Sequence, residues 1–353
     1  MSDLPSGNVV PDLTLVTGAT GFIGAAVARA LVRQGRAIRI AHRAGSDLSN
    51  LRDLPGERVI ADLTDPASLT AAVQGCTGLF HVAADYRLWV PDVSVMRRTN
   101  IDGSVALLRA AHQAGVKRVV YTSSVAALGL GDHGIPADEA TLNRPEHHIG
   151  PYKRSKYDAE IAVRRLAAEG LDVVIVNPSA PVGPGDIKPT PTGRMVLDAA
   201  RGLMPAYVET GMNIVHVDDV AAGHLLAEQR GKTGESYILG GDNLMLSEIG
   251  RMIAALAGRA APRIKLPIGP LVPIAALMEG WARLSGHPPM MTRDMLAMAR
   301  HRMWYDSGKA VRDLGYAPRP AMRAFEDALV DFCKRGLLAS IAFHPVETHL
   351  GAP

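Results

Sequence analysis

Residues 17–24 read Thr-Gly-Ala-Thr-Gly-Phe-Ile-Gly, between the apolar run Leu13–Thr17 and the stretch Phe22–Gln34, whose apolar residues recur every three or four positions. The run predicts a strand and the spacing after it predicts a one-sided helix. Glycines at such a junction let the chain turn sharply, let a pyrophosphate approach the backbone, and let the helix pack close to the sheet. The free N–H groups at the helix start attract phosphate. The stretch therefore predicts a dinucleotide-binding turn, and a tight turn without a ligand is the alternative. The residues expected to contact the dinucleotide here are Gly18, Thr20, Gly21, Phe22, Ile23 and Gly24.

Beyond this turn, the first 180 residues continue to alternate short β-branched runs with longer helical patterns. Such alternation is typical of a parallel sheet with helices on both faces, so we expect a doubly wound α/β fold of the Rossmann type. The expected strands are Leu13–Thr17, Ala37–His42, Val59–Ile60, Leu79–Val82, Val119–Ser123 and Val173–Asn177. The expected helices are Phe22–Gln34, Ala67–Val73, Val95–Ala114 and Tyr152–Glu169.

The sequence changes character after Asn177-Pro178. Prolines and glycines crowd the following stretch, which predicts a loop at the sheet edge. They are Pro178, Pro181, Gly183, Pro184, Gly185, Pro189, Pro191 and Gly193. The remaining chain predicts a smaller, mostly helical cap with one strand at Ile214–Val217 and helices near Val220–Gln229, Ser247–Ala257, Leu271–Leu284, Thr292–Arg300 and Ser307–Leu314. We expect a dinucleotide-binding domain over 12–180, a substrate-binding cap region over 181–335 interleaved with the last sheet strands, and a tail over 336–353.

The composition excludes several classes of protein. A chain of 353 residues with 47% hydrophobic content can bury a large core, and its net charge of +3 is not concentrated in a basic run, so no nucleic-acid partner is expected. Cys76 and Cys333 lie far apart, which indicates neither a disulfide framework nor a metal pair. The polar start Met1–Asp12 lacks the pattern of a secretion signal, so a cytoplasmic location is expected.

The apolar stretch Leu266–Met278 is too short to cross a bilayer, which takes about 20 residues, and it contains three prolines. We expect it to form part of the core or a pocket wall. Peripheral contact with lipid or a lipid-like substrate is the alternative.

The end of the second strand carries the cation Arg43, where strictly NAD-using proteins of this fold carry an acid for the ribose 2′-hydroxyl. A cation there suits a 2′-phosphate, so NADP(H) is expected in preference to NAD, which stays possible; a merely solvated Arg43 is the alternative. Asp62 could accept from the adenine amino group, and the small Ala83-Ala84 would let a cofactor pass over the sheet edge.

A second motif lies at the start of the helix Tyr152–Glu169. Tyr152 and Lys156 are four residues apart, so both side chains lie on one helix face. An ammonium beside the phenol is expected to lower the pKa of Tyr152, which suits a proton donor or acceptor. Ser123-Ser124, at the end of the fifth strand, supply a hydroxyl that could hold the same substrate oxygen.

Together these motifs resemble the extended short-chain dehydrogenase/reductase superfamily, also called the NAD-dependent epimerase/dehydratase superfamily, over about Leu13 to Val330. The motifs that carry the resemblance are Thr17–Gly24, Asp62-Leu63, Tyr121–Ser124, Tyr152–Lys156, Asn177-Pro178, His216–Val220 and Leu314–Tyr316. Three segments are most similar to the hopanoid-associated sugar epimerases (the HpnA group) and are also similar to dihydroflavonol 4-reductases. These segments are His81–Trp89, Gly150–Lys156 and Lys188–Gly193.

The resemblance implies roles for individual residues. It makes Ser124 the group that holds the substrate oxygen, Tyr152 the acid/base, and Lys156 the group that binds the nicotinamide ribose and tunes Tyr152. It also places Leu63 and Pro178, with Ala83 and Ala84, at the cofactor. Candidates for the substrate pocket are Asp85, Tyr86, Trp89 and Lys188. No metal is expected, because the adjacent His147-His148 has no further ligand pattern around it.

The expected activity is hydride transfer to or from a sugar- or polyol-like carbonyl or carbinol, plausibly in hopanoid side-chain formation, on a small-molecule or lipid-linked substrate. Two departures from nucleotide-sugar epimerases favour a reductase: Arg43 replaces an acid, and the loop Thr192–Asn213 carries only two cations, Arg194 and Arg201. An epimerase without net redox change and a non-catalytic nucleotide sensor are the alternatives. The resemblance also implies a homodimer through Val95–Ala114 and Tyr152–Glu169.

Overall fold

A seven-stranded parallel sheet forms the centre of the computed structural model, which describes residues 12–339 apart from Leu88, Pro91 and His133. Its strands lie in the order β10-β6-β5-β4-β1-β2-β3. They are β1 (Leu13–Thr17), β2 (Ala37–His42), β3 (Glu57–Ile60), β4 (Gly78–His81), β5 (Arg118–Thr122), β6 (Val173–Pro178) and β10 (Ser236–Leu239). Because the sheet is parallel, the carboxyl ends of its strands meet at one edge, where ligands bind in doubly wound folds.

Helices cover both faces of this sheet. One face packs against α1 (Phe22–Arg33), α7 (Val217–Arg230) and α11 (Gly308–Leu314). The other packs against α2 (Pro66–Val73), α4 (Ser104–Gln113) and α5 (Gly150–Ala168). Successive strand residues point to opposite faces, so Leu15 belongs to one core and Val16 to the other. The expected doubly wound parallel sheet is confirmed.

The cap has a four-stranded sheet of its own with helices around it. Its strands are β7 (Ala180–Val182), β9 (Gly211–His216), β11 (Asp242–Met245) and β13 (Arg302–Met303), and β8 (Ala206–Tyr207) pairs separately with β12 (Ile264–Lys265). Its helices are α6 (Pro191–Ala200), α8 (Leu246–Leu256), α9 (Ile268–Ser285), α10 (Arg293–Met298) and α12 (Ala321–Lys334). A third core, formed by α6, α8, α12 and the cap sheet, holds this part together.

One salt bridge joins the segment before α12 to α7, and a buried contact joins β9 to α12 within the cap. Arg319 pairs with Asp219 of α7 at 2.8 Å, and the buried His216 at the end of β9 lies 3.1 Å from Asp327 of α12. The cap is therefore fastened at the end of β9 and the start of α7.

The proline- and glycine-rich stretch after β6 differs from the expected loop, because it contains both β7 and α6. Proline removes one backbone donor, which an edge strand does not need, and β7 pairs with β9 on one side. Pro191 occupies the first helical turn of α6, where its missing N–H is harmless, and Thr190 caps that helix through the N–H of Gly193 at 3.1 Å. Prediction from proline content alone was wrong here.

Three other elements differ from the sequence-based expectation. The helix expected over Val95–Ala114 is divided into α3 (Val93–Arg97), a π-helical turn at Arg98–Gly103, and α4. The seventh sheet strand, β10, and the long helix α12 were not predicted. Of the expected tail 336–353, residues 340–353 lie outside the described residues.

Within the described part of the chain, no helix is both long and apolar enough to cross a membrane.

Candidate active site

The glycine turn between β1 and α1 packs against the end of β4. Gly18 has a positive φ of 75°, and a Cβ there would lie 2.7 Å from the backbone nitrogen of Ala83. A Cβ at Gly24 would lie 2.2 Å from the carbonyl oxygen of Gly18. Side chains at either position would therefore force β1, α1 and β4 apart.

The first turn of α1 is suited to a phosphate group. Its N-cap, Gly21, makes no side-chain capping hydrogen bond, and the turn contains no acidic residue. The N–H groups at this helix end and the helix dipole thus face the crevice without a competing anion from the helix itself. The turn fits the pyrophosphate of a dinucleotide.

A buried histidine, which the sequence reading did not assign, ties β1 to β4 beneath this turn. His81 Nδ1 lies 2.8 Å from the Thr17 hydroxyl, which also accepts from the N–H groups of Val82 and Ala83 at 3.1 Å. His81 Nε2 lies 2.9 Å from the Ser104 hydroxyl, which donates onward to the Asn100 carbonyl. Burial lowers the pKa of His81 to about 3, so the ring is neutral. Thr17 therefore donates to Nδ1 and Nε2–H donates to Ser104.

Arg43 projects from the loop after β2 into solvent. Its guanidinium makes no hydrogen bond or ion pair with any residue that the structure describes, and it lies close enough to Asp62 and Asp85 to favour their charged forms. Asp62 Oδ1 accepts from the Thr64 N–H at 2.8 Å and from its hydroxyl at 2.7 Å, and these bonds lower the pKa of Asp62. The guanidinium of Arg43 is thus available to a ligand at this end of the crevice. Leu63, which follows Asp62 in the chain, packs closely against Gly103: a Cβ on Gly103 would lie 2.6 Å from the Leu63 carbonyl oxygen.

Tyr152 and Ser124 come together at the other end of the strand edge. Ser124 follows β5 in extended conformation and its Oγ accepts from the Ala126 N–H at 3.1 Å. Tyr152 lies in the first turn of α5, partly exposed. Burial raises the pKa of the Tyr152 phenol above its usual value, and the nearby Ser124 hydroxyl partly opposes that rise. The phenol is therefore protonated at neutral pH.

Lys156 lies one helical turn beyond Tyr152 and is buried. Its ammonium donates to the Thr122 carbonyl at 2.9 Å and lies 5.3 Å from the centre of the Tyr121 ring. Burial lowers the pKa of Lys156 to about 8, and the nearby Glu160 carboxylate opposes that shift. The expectation that Lys156 lowers the pKa of Tyr152 is wrong for this arrangement, because the ammonium bonds to the end of β5 and desolvation dominates at the phenol.

Glu160 forms a buried hydrogen-bonded cluster behind these side chains, and no motif singled it out beforehand. Its Oε2 accepts from the Ser123 hydroxyl at 2.6 Å and from the Asn177 amide at 2.8 Å, while Oε1 accepts from Arg164 at 2.7 Å. Asn177 also donates to the Ser124 carbonyl at 3.0 Å. The cluster therefore joins α5 to the ends of β5 and β6, beside Pro178. Ser123 and Asn177 belong to the Ser-Ser and Asn-Pro motifs. The sequence signal for Glu160 is its position four residues after Lys156, which places both side chains on one face of α5.

The π-helical turn brings Asn100 into contact with the loop after β4. Its Oδ1 accepts from the Asp85 N–H at 2.7 Å, and its Nδ2 donates to the Asp85 carbonyl at 2.9 Å and to the Ser155 hydroxyl at 3.0 Å. Ser155 in turn donates to the Tyr152 carbonyl at 2.8 Å. Asn100 thus links the loop of Asp85 to the helix that carries Tyr152.

The candidate substrate residues do not form one group. Asp85 is half-buried and pairs with Arg87, Tyr86 is exposed, and Trp89 is half-buried. Lys188 is exposed and lies 3.7 Å from Asp47, on the same loop as Arg43. The structure places Lys188 at the Arg43 end of the crevice.

The adjacent histidines after residue 146 point to different neighbours. His147 Nδ1 accepts from the Leu130 N–H at 3.1 Å, and the ring of His148 lies 4.1 Å from that of Tyr157. No cluster of three or more metal-ligating side chains occurs among the residues that the structure describes.

Comparisons with known proteins agree with this geometry. The family model described as "NAD dependent epimerase/dehydratase family" matches residues 14–240. A Synechocystis protein, provisionally named a dihydroflavonol 4-reductase, is 45% identical over 92% of this chain and 96% of its own. Sterol demethylase protein B of Methylococcus capsulatus is 36% identical over 92% and 99%. Among solved structures, a nucleoside-diphosphate-sugar epimerase from Pseudomonas aeruginosa is 28% identical, with a TM-score of 0.74 over 92% of this chain and 99% of that one.

Proposed function

The chain belongs to the NAD dependent epimerase/dehydratase family, and from that premise we propose that it is an NADPH-dependent reductase of a carbonyl compound, with Tyr152 as proton donor. Members of the family are NAD(P)-dependent reductases, epimerases and dehydratases, so the chain is an enzyme of this kind. The observation that carries the choice of reductase is the exposed Arg43 guanidinium, which has no partner among the described residues and suits the 2′-phosphate of NADPH.

The crevice at the sheet edge holds the dinucleotide in this proposal. The backbone at Gly18, Gly21 and Gly24 receives the pyrophosphate, and Arg43 receives a ribose 2′-phosphate. We assign five further residues to the path between these two groups and the catalytic side chains: Asp62, Leu63, Ala83, Ala84 and Pro178. A reduced nicotinamide, when bound, supplies the hydride.

The side chains of Ser124 and Tyr152 act on the substrate oxygen. Ser124 donates a hydrogen bond to that oxygen and fixes its position. Tyr152 then gives its phenolic proton to the same oxygen as negative charge develops there, which is the work of a general acid. A phenol whose pKa is raised by burial keeps this proton at neutral pH.

Lys156 supports the step without donating the proton itself. Its ammonium is held by the Thr122 carbonyl at the end of β5, below the phenol. From there it would bind the nicotinamide ribose.

The two cations of the stretch Thr192–Asn213 already have partners within the protein. Arg194 pairs with Asp198 at 2.9 Å, and Arg201 donates to the Leu337 carbonyl at 2.7 Å. Neither is therefore an unpaired cation in the way that Arg43 is. This favours a reductase of a substrate without a nucleotide diphosphate over a nucleotide-sugar epimerase.

The finer proposal concerns the substrate and the assembly. A sugar- or polyol-like carbonyl, carried on a small molecule or a lipid such as a hopanoid side chain, is compatible with the pocket candidates Asp85, Tyr86 and Trp89. A relative named for sterol demethylation supports a polycyclic lipid-like substrate. A homodimer through α4 and α5 belongs to the same proposal.

The test is a reductase assay on the purified protein. NADPH and NADH are supplied in turn with a panel of aldehydes and ketones, including polyol-derived ones, and the nicotinamide absorbance is followed. We expect stoichiometric NADPH consumption with at least one carbonyl, and a loss of about 10²–10⁴-fold for Tyr152→Phe.

The epimerase alternative gives a different outcome in the same assay. The structural likeness to a nucleoside-diphosphate-sugar epimerase is the observation in its favour. It predicts dinucleotide that co-purifies with the protein and isomerisation of a sugar without net NADPH consumption. That result would replace the reductase proposal.

A further inference from the structure

The cap helix α9 exposes a continuous apolar stripe. Ile274, Leu277, Trp281 and Leu284 follow one another at intervals of three and four residues, so they lie on one helix face. Leu277, Trp281 and Leu284 are 77%, 69% and 84% exposed. Of the eighteen residues of α9, only Ala275 and Ala282 are buried. The four large apolar side chains of this stripe thus face solvent.

Neighbouring segments extend the apolar surface beyond the helix. Ile264 precedes α9 and Met290 follows it, and both are exposed. Single exposed apolar side chains are common, whereas a contiguous patch marks a surface that binds something.

The charges around the stripe are strongly positive. Residues 259–302 contain seven Lys or Arg and two Asp or Glu, so this segment carries +5 while the whole chain carries +3. Arg263 and Lys265 stand before α9, and Arg283 stands between Trp281 and Leu284. Of the two acids, Glu279 is paired with Arg293 at 2.9 Å. Lys265 lies 4.0 Å from Glu209. The rest of the chain is net negative, so the excess of positive charge belongs to this segment of the chain.

We propose that this face, defined as residues 264–290, docks on the surface of an anionic lipid bilayer. A helix with an apolar face that includes tryptophan, flanked by cations, lies in the plane of the interface with its apolar side chains among the acyl chains and its cations at the headgroups. A dry contact with a second copy of the chain would bring the same cations together. The concentration of positive charge therefore selects the lipid surface.

Docking in this way would place the bilayer beside a cavity of the cap and near the helix that packs on the start of α5. The start of α9 lines a cavity of about 310 Å³ through Leu266, Pro267 and Ile268. The helix α10, which pairs with α9 through Arg293 and Glu279, contacts the start of α5, since a Cβ on Gly150 would lie 3.1 Å from Asp294. Tyr152 is two residues further. The docking proposal itself does not depend on which reaction the enzyme performs.

The test measures binding of the full chain to vesicles of phosphatidylcholine, with and without about one-third phosphatidylglycerol. We expect co-sedimentation with the anionic vesicles. Raising the salt from 0.1 M to 1 M, which shortens the Debye length from about 10 Å to about 3 Å, should weaken binding several-fold. Trp281 emission should shift to the blue on binding, and this shift should be absent in Trp281→Phe.

Two matched double variants separate the stripe from general stickiness. Leu277→Gln/Leu284→Gln should weaken partitioning by about tenfold or more, because two apolar side chains lose their burial. Ile60→Gln/Leu142→Gln changes two apolar side chains that are 62% and 68% exposed on other parts of the molecule, and it should bind like the wild type. All four sites are exposed, so the fold should be retained.

Three results would overturn the proposal. The first is a wild-type protein that does not sediment with anionic vesicles. This includes a protein that self-associates without lipid and becomes monomeric in Leu277→Gln/Leu284→Gln. The second is equal loss of binding in both double variants. The third is that the protein binds a protein partner through this face and does not bind the vesicles.

Discussion

At the scale of single residues, the site depends on which charges are already neutralised. Arg43 is exposed and unpaired within the described part of the chain, whereas Arg194 and Arg201 are engaged with the protein itself. An arginine with no protein partner retains its full capacity for a phosphate. The position of Arg43 was readable from the sequence, but its freedom required the structure.

We expect Arg43→Ser to change the cofactor preference. Losing a charge-assisted hydrogen bond to a phosphate costs about 1.5–3 kcal/mol, so kcat/KM for NADPH should fall by roughly 10- to 100-fold while that for NADH changes little. Steady-state kinetics with both cofactors measures this. Arg33→Ser, at an exposed arginine in the last turn of α1, is the control. If Arg43→Ser and the wild type had equal kinetics with NADPH, Arg43 would be a solvated side chain without a role in cofactor binding.

The charge of Lys156 should set the alkaline limit of reduction. Burial lowers the pKa of this lysine to about 8, so its positive charge is present below that pH and is lost as the pH rises through it. The nearby Glu160 carboxylate raises the pKa of Lys156, so Glu160→Gln should move the alkaline limb of the kcat/KM profile to lower pH. Glu160 is a positioning residue, buried behind the site.

The control for this profile lies on the same helix. Glu169→Gln, at the exposed end of α5, should leave the alkaline limb where the wild type has it. If Glu160→Gln retained its fold and its kcat/KM profile were unshifted, Glu160 would have a structural role and no effect on the charge of Lys156.

At the scale of elements, close backbone approach explains the glycine turn. A Cβ at Gly24 would lie 2.2 Å from the Gly18 carbonyl oxygen and 2.8 Å from the Ala19 nitrogen, both of them backbone atoms that cannot rotate away. We expect Gly24→Ala to lower the free energy of unfolding by about 1–3 kcal/mol and to weaken dinucleotide binding. Thermal unfolding and a cofactor titration measure the two effects.

A second glycine provides the comparison. A Cβ on Gly280 of α9 meets nothing within 4 Å, so Gly280→Ala should stabilise the protein slightly, by up to about 1 kcal/mol, through helix propensity. If both alanine variants behaved alike, close packing would not be the reason for glycine at the turn.

Elements were predictable where a local pattern decides them. β1 and β2 have the expected ends, because each is a short apolar run between polar residues. The π-helical turn was not predictable, since helical periodicity runs through it and the interruption serves Asn100, whose partners lie on the loop after β4 and on α5. Helix α6 is not predicted by proline content alone, because proline is tolerated in the first turn of a helix, where Pro191 lies.

At the scale of the whole molecule, two halves of the chain share the main sheet. β10, α7 and α11 come from the second half and pack with the first, and the Arg319–Asp219 salt bridge ties the start of α12 to α7. Stability of the cap should therefore be coupled to that of the sheet.

Phe325 of α12 tests this coupling. It is fully buried in the cap core, so Phe325→Ala should lower the free energy of unfolding by about 3–5 kcal/mol. Val311→Ala, at a half-exposed apolar residue on α11, should stay within about 0.5 kcal/mol of the wild type. Urea unfolding followed by circular dichroism measures both. A separate early transition in Phe325→Ala would show that the cap unfolds alone.

The sequence alone determined the parallel sheet, the glycine turn and the shared helix face of Tyr152 and Lys156, because each follows from residues close together in the chain. Tertiary structure decided the rest: the raised pKa of Tyr152, the partner of Lys156, the Glu160 cluster, the place of β10 and the exposure of α9. These depend on burial and on contacts between residues far apart in the chain, and neither is encoded in a local pattern.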